Sequence, residues 1–213
     1  MGDVVCGNVH CVSAMAADLG LSVAEFFAAA GAVSADGESP YNAGDVLAIQ
    51  EGTLTADAFW NRFEDRAGRL FPGRGVRVAR REDGRPVDLW GRRFRPERDE
   101  AVAALIAELT AAAFRVVCGT NTLGAHYEIH RSRGDYDCFR AVYASHLIGK
   151  AKPAAAFWKH ILAHEAVAAA DAFFVDDAPA NVAAAAQLGL AVHHFQGAAG
   201  LREELSLIGA LAT

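Results

Sequence analysis

Two periods of apolar positions divide the chain. From about Cys11 to about Arg69 the pattern is helical. Ser22 followed by Glu25 forms a capping box ahead of Val-Ala-Glu-Phe-Phe-Ala, and Gly31 stands where that helix should end. Thr55 is placed to cap a second helix, on which Phe59, Trp60 and Phe63 share one face. From Pro96 onward the pattern alternates. A helix from about Glu97 is followed by apolar strand-like runs at Arg115–Gly119, Ala141–Ala144, Ala172–Val175 and Ala191–Phe195, with helical stretches between them. A short apolar run at Val4–Cys6 completes the strand set. Such alternation predicts an α/β fold with a doubly wound parallel sheet, interrupted by a small helical insert. The expected division is a core of residues 1–10 and 95–213 with a helical cap over residues 11–94.

Composition changes this picture little. With 213 residues and 53% hydrophobic content the chain can bury one good core and a smaller appendage. A net charge of -6 gives a nucleic-acid partner no global electrostatic support. Cys6, Cys11, Cys118 and Cys138 form no C-x-x-C pair, so free thiols are expected rather than disulfides or zinc ligands. No signal-like segment and no run long enough to span a bilayer is evident, which makes a cytoplasmic protein without a membrane partner the default expectation.

The candidate chemistry lies where the predicted strands end. Thr120 and Asn121 follow one strand, Lys152 and Pro153 open a helix, and Asp176 and Asp177 follow another strand. A hydroxyl, an amine and two carboxylates would meet at the carboxyl edge of a parallel sheet, where open α/β folds place ligands. That set suits an oxyanion beside a divalent cation. Singly, each has a bland reading: Thr as turn former, Lys-Pro as helix start, Asp-Asp as cap. Jointly and in this order, the site reading is the better one.

Between about Arg95 and Leu205 these motifs resemble those of the haloacid dehalogenase-like hydrolase superfamily. The Ser/Thr-Asn motif matches Thr120 and Asn121. The Lys-Pro motif matches Ser145, His146, Gly149, Lys152 and Pro153, and the Asp-Asp motif matches Asp176, Asp177, Asn181, Val182, Ala184 and Ala185. The resemblance implies a phosphatase-type site for a small phosphorylated or otherwise anionic molecule. Thr120, Asn121 and Lys152 would hold the phosphate, and Thr120 and Lys152 would act in catalysis. Asp177, supported by Asp176 and by the Gly7 carbonyl, would bind Mg²⁺. Asn181 is expected to order the Asp176 loop.

The first motif departs from the family. Aligning Gly7, Asn8 and Val9 with the family's Gly-Asn-Val places Val5 where an aspartate should attack. Asp3 lies two residues earlier, on the same face but displaced by about two rises of 3.3 Å. A displacement of about 1 Å can already cost a hundredfold in rate. The sequence therefore supports two readings: a phosphatase-type hydrolase with weak or absent activity, or a non-catalytic module that retains an anion pocket.

Other residues complete the set of expectations. Val76 and Val78 alternate with arginines ahead of Asp83-Gly84, which predicts a basic hairpin or flap. Its arginines are either a rim that collects anions or, the preferred reading, a solvated hinge. Trp90 and Phe94 should pin its end. His126 and His146 are candidates to line the pocket. His160 and His164 share a helical face without a third ligand and read as solvent-facing, and alternation buries at most one of His193 and His194.

Overall fold

The computed structural model describes residues 1–33 and 39–212, so residues 34–38 of the helical stretch lie outside the described residues. The capping box is present. The Ser22 hydroxyl accepts from the Glu25 amide at 3.2 Å and the Glu25 carboxylate accepts from the Ser22 amide at 2.8 Å, opening α2 (Val23–Ala29). Thr55 caps α4 (Ala56–Leu70) by accepting from the Ala58 amide at 3.2 Å. With α1 (Val12–Asp18) and α3 (Gly44–Gln50), these helices enclose Phe26, Phe59, Trp60 and Phe63, all fully buried. Trp90 of α5 (Leu89–Arg93) joins the cluster in edge-on contact with Phe26 at 6.0 Å between ring centres. One apolar cluster thus runs from Cys11 to Trp90 and reaches Leu123.

The basic stretch folds as a tight hairpin. Val76 and Val78 are buried, and Gly84 takes a φ of 79° at the turn, where the Arg81 amide donates to the Arg85 carbonyl at 2.8 Å. Its arginines are exposed, in keeping with a solvated segment, and several of them pair with carboxylates. Arg74 pairs with Glu25 at 2.6 Å, Arg80 with Glu64 at 2.5 Å, Arg81 with Asp57 at 2.8 Å, and Arg93 with Asp18. The carboxylates sit on helices that the sequence pattern did not orient towards the hairpin. Partly exposed pairs of this kind contribute at most about 1 kcal/mol each. Trp90 and Phe94 are buried as expected.

In the α/β part, α6 (Glu100–Ala111) begins later than expected because Asp99 is its N-cap, accepting from the Ala101 and Val102 amides. Glu97 and Arg98 instead form β2, antiparallel to β1 (Cys6–Gly7). There follow β3 (Cys118–Thr120), α7 (Gly124–Ser132), β4 (Val142–Ala144), α8 (Ser145–Ile148) and α9 (Ala155–Glu165). The chain continues through β5 (Phe173–Asp176), α10 (Pro179–Gln187), β6 (Ala191–His194) and α11 (Ala198–Leu207). β3 pairs in parallel with β4, in the register Gly119 to Tyr143. β5 pairs in parallel with β6, in the register Val175 to His193. The expected α/β fold is present, with alternating strands and helices and with crossovers long enough to make both pairs parallel.

The expectation of a first strand at Val4–Cys6 within the parallel sheet is corrected. Asp3 has a φ of 55° and its amide donates to the Cys6 carbonyl at 2.8 Å. The Val5 and Cys6 amides both donate to the Met1 carbonyl, at 2.9 and 3.0 Å. Donors consumed inside such a turn are not free for a ladder with β3. Cys6, Cys11, Cys118 and Cys138 are free thiols, as expected. Among the described residues no single helix is long and apolar enough to cross a membrane.

Candidate functional site

Lys152 is the hub of the site. Its ammonium donates to Asp176 Oδ2 at 2.6 Å and to the Gly119 carbonyl at 3.2 Å, so it spans the carboxyl ends of β5 and β3. Both side chains of the pair are buried. Burial favours the neutral acid at Asp176, but the Lys152 charge, the Asn181 amide at 2.8 Å and the Ala178 amide at 3.0 Å outweigh it and hold the carboxyl below its ordinary range. Asn181 thus orders this loop, and both oxygens of Asp176 are occupied.

Asn121 clamps the lysine from the other side. Its side chain donates to the Lys152 carbonyl and accepts from the Lys152 amide, both at 2.8 Å. The amide therefore fixes the Lys152 backbone, a positioning task beyond the phosphate contact expected of it. Thr120 is buried, with its hydroxyl donating to the Asn121 carbonyl at 3.3 Å. Ser145, fully buried, accepts from the Thr122 amide at 2.9 Å and donates to the Thr122 carbonyl at 3.0 Å, tying β4 to the loop after β3.

Asp177 is electrostatically crowded. Burial comes first and the charges of Asp176 and Asp3 next in raising its carboxyl above the usual range. His194, on the exposed side of β6, donates from Nε2 to the Asp177 carbonyl at 2.9 Å and fixes the loop, a role that alternation alone did not indicate. Gly7 is engaged opposite Glu97 in β1–β2. Val5 is buried in an apolar cluster with Val102 and Ile106 of α6. Asp3, rather than Val5, is the first-motif residue whose charge is felt at Asp177, and its carboxylate lies 2.7 Å from His10 Nε2.

Beside Thr120 and Asn121 a cleft of about 130 Å³ opens towards the helical part, walled by Met1, Tyr41, Trp90, Phe94 and His126. His126 stacks on Phe94 with ring centres 3.7 Å apart, and its Nε2 donates to the Trp90 carbonyl at 3.2 Å. His146 lines a second cavity, with Ile49, Leu54 and Leu123. His164 is exposed, as expected, and also bonds the Tyr143 hydroxyl at 2.9 Å. Cys6, His130 and Asp135 form a buried cluster that the sequence did not reveal, because Cys6 of β1 is far in sequence from His130 of α7 and from Asp135 in the turn that follows it. His130 Nδ1 donates to Asp135 at 2.8 Å, Arg133 also contacts Asp135 at 3.1 Å, and burial pushes the Cys6 thiol up to about 11.

Burial pushes His126 down to about 3 and lowers His130 as well, Asp135 only partly opposing it. Because the unfolded chain binds protons at an ordinary value near 6.5, the stability held by His126 is complete above about pH 6.5 and is lost as pH falls from there towards 3. Lowering pH from 6.5 to 5 should cost about 2 kcal/mol, and a His126→Gln variant should show a shallower pH slope in urea unfolding. An unchanged slope would place the acid lability elsewhere.

A family model described as haloacid dehalogenase-like hydrolase matches residues 23–189. The chain belongs to the haloacid dehalogenase-like hydrolase family. The match begins beyond the first motif and covers the other three. The chain is also 28% identical over 149 residues to a sesquiterpene phosphatase, astK, of Aspergillus oryzae, covering 67% of this chain and 75% of that protein. Among solved structures, a predicted hydrolase of this family from Porphyromonas gingivalis superposes with a TM-score of 0.65 at 18% identity, covering 95% of this chain and 92% of that one. The family enzyme bt-2542 of Bacteroides thetaiotaomicron, as an Asp-to-Ala variant in complex with magnesium and inorganic phosphate, gives a TM-score of 0.64 at 17% identity, covering 91% and 90%. At these identities the two structures establish the shared fold.

Proposed function

We propose that this family member carries a phosphatase-type site for a small phosphorylated molecule, with weak or absent turnover in the chain as it stands. The observation that carries the reading is the buried Lys152 ammonium, seated where β3 and β5 end and flanked by Thr120 and Asp176. A fixed ammonium and nearby backbone amides are suited to a phosphate oxygen. Asn121 keeps that ammonium in place by holding both backbone polar groups of Lys152. The apolar body of the molecule would lie in the cleft between Tyr41, Trp90 and Phe94, in keeping with a relative named for a terpene substrate.

Mg²⁺ fits the donors present. Asp177 is a half-buried carboxylate crowded by the charges of Asp176 and Asp3, a situation that a cation relieves, and hard oxygens suit that ion. Asp177 would hold it, with Asp3, whose charge also reaches Asp177, as a further carboxylate, whereas both oxygens of Asp176 are already engaged and Gly7 lies in β1. When bound, the ion would stabilise charge on the phosphoryl oxygens. Weak turnover follows from Val5, whose side chain has no lone pair and is packed against α6. The same observation favours a second reading, in which the site binds an anion without reacting.

Purified protein with Mg²⁺ should hydrolyse aryl phosphates feebly or not at all. It should nevertheless bind inorganic phosphate in equilibrium titration, and Thr120→Val and Lys152→Ala should each weaken that binding. A prenyl-type monophosphate should compete better than glycerol phosphate. Robust turnover that vanishes in Asp3→Ala would instead make Asp3 the attacking group. Phosphate binding equal in wild type and Lys152→Ala, or absent from both, would refute the anion site.

A further inference from the structure

Cys6, His130 and Asp135 are all buried, and one ligating atom from each lies within 4.8 Å of the other two. Cys6 comes from β1, His130 from the last turn of α7 and Asp135 from the turn that follows that helix. None of the three touches the Lys152 and Asp176 pair. His130 Nδ1 donates to Asp135 Oδ2 at 2.8 Å, and Arg133 Nε donates to the same oxygen at 3.1 Å. Among the described residues neither Asp135 Oδ1 nor the Cys6 thiol has a side-chain hydrogen bond. A thiol, an imidazole and a carboxylate therefore share one small interior space with half of their bonding capacity unused.

A buried His–Asp pair beside a packed thiol has an ordinary structural reading, with the cysteine serving as a small apolar side chain. Two observations go beyond it. The Tyr136 hydroxyl is buried without a partner among the described residues, its ring centre 5.5 Å from that of His130. Burial first, and then Cys118, Tyr127, Cys6 and Asp135, push its phenol up, so it belongs to the same neighbourhood. A buried oxygen left unbonded in this way costs free energy that a further partner would recover. At Cys6, burial first and the Asp135 charge next disfavour the thiolate, and a cation between the two groups relieves both effects. An entry path exists as well, because His130 lines the cleft beside Thr120 and His126.

We propose that Cys6, His130 and Asp135 form a Zn²⁺ site, separate from the Thr120, Lys152 and Asp177 site and independent of the phosphatase-type reading. The Cys6 thiolate, a ring nitrogen of His130 and a carboxylate oxygen of Asp135 are its protein ligands. Mixed sulfur, nitrogen and oxygen donors suit Zn²⁺, whereas Mg²⁺ takes oxygen alone. The Tyr136 hydroxyl, or a water that it holds, completes the tetrahedron. Binding releases the thiol proton to solvent. Arg133, whose side chain is 44% exposed, turns into water as the ion takes over the charge of Asp135. The ion ties β1, a strand of two residues that pairs only with β2, to α7, the helix that also carries His126 in the cleft wall.

The test uses the full chain, stripped with a chelator and kept reduced, titrated with Zn²⁺ against a chromophoric competitor and with Co²⁺ as a spectroscopic substitute. A single equivalent should bind, and Co²⁺ should give a sulfur-to-metal charge-transfer band in the near ultraviolet. Zn²⁺ at about a hundredfold excess over its Kd should raise the melting temperature by about 5 °C or more. Cys6→Ser should abolish the sulfur band, and Cys6→Ser and His130→Gln should each weaken Zn²⁺ binding by at least about tenfold. Cys11→Ser, which removes the thiol 3.8 Å from His126, and Asp177→Asn should change neither the band nor the affinity. Absence of the band from the wild-type protein, a result that needs no variant to fold, would overturn the site. So would a band that survives in Cys6→Ser or disappears in Cys11→Ser.

Discussion

Lys152→Met should lower the unfolding free energy by about 3–5 kcal/mol, because it leaves the buried Asp176 carboxylate without its counter-ion. Asn181 and the Ala178 amide would still bond one oxygen, but the other would face a void. Asp176 in the variant should take up a proton closer to neutrality, so the loss should shrink at acid pH. Adding Asp176→Asn to Lys152→Met should recover part of the stability by removing the stranded charge. Urea unfolding of the four proteins of this cycle at pH 7 measures the coupling. A single-variant loss below about 1 kcal/mol would mean that the pair is open to water in solution.

Trp60→Ala should cost about 3–5 kcal/mol, for two reasons that add. Trp60 is fully buried among Phe26, Phe59, Phe63 and Trp90, so truncation leaves a large cavity. Its indole N–H also donates to Asp88 at 3.1 Å, the residue that caps α5 and whose acid burial already pushes upward. Because Trp90 begins the segment that holds His126 and Phe94, the variant should also loosen the cleft wall. Weaker binding of an apolar phosphate, with inorganic phosphate binding unchanged in protein kept below its melting temperature, is the accompanying result. If Trp60→Phe shows the full loss too, the Asp88 hydrogen bond dominates over the cavity.

Much of this protein is decided by short-range physics and was legible from the sequence. Ser22, Glu25 and Thr55 cap their helices through bonds three residues long. The four runs from Arg115 to Phe195 became strands close to their expected places because their β-branched and aromatic residues suit a pleated, covered surface. The order of Thr120, Lys152 and Asp176 followed from where those runs stop, since a parallel sheet gathers its carboxyl ends on one edge.

Contacts between residues distant in sequence needed the tertiary structure. Whether the arginines of the hairpin faced a ligand, water or a carboxylate depended on the orientation of α1, α2 and α4, which periodicity does not specify. Asn121 as a clamp on the Lys152 backbone, His194 on the Asp177 loop and the Cys6, His130 and Asp135 cluster each join elements many residues apart. The first strand shows the limit most clearly. Val4 to Cys6 is apolar enough for a strand, yet the turn closed on the Met1 carbonyl consumed the Val5 and Cys6 donors. A hydrophobic pattern records which residues prefer burial, but the partner that receives each backbone hydrogen bond is chosen only when the whole chain has packed.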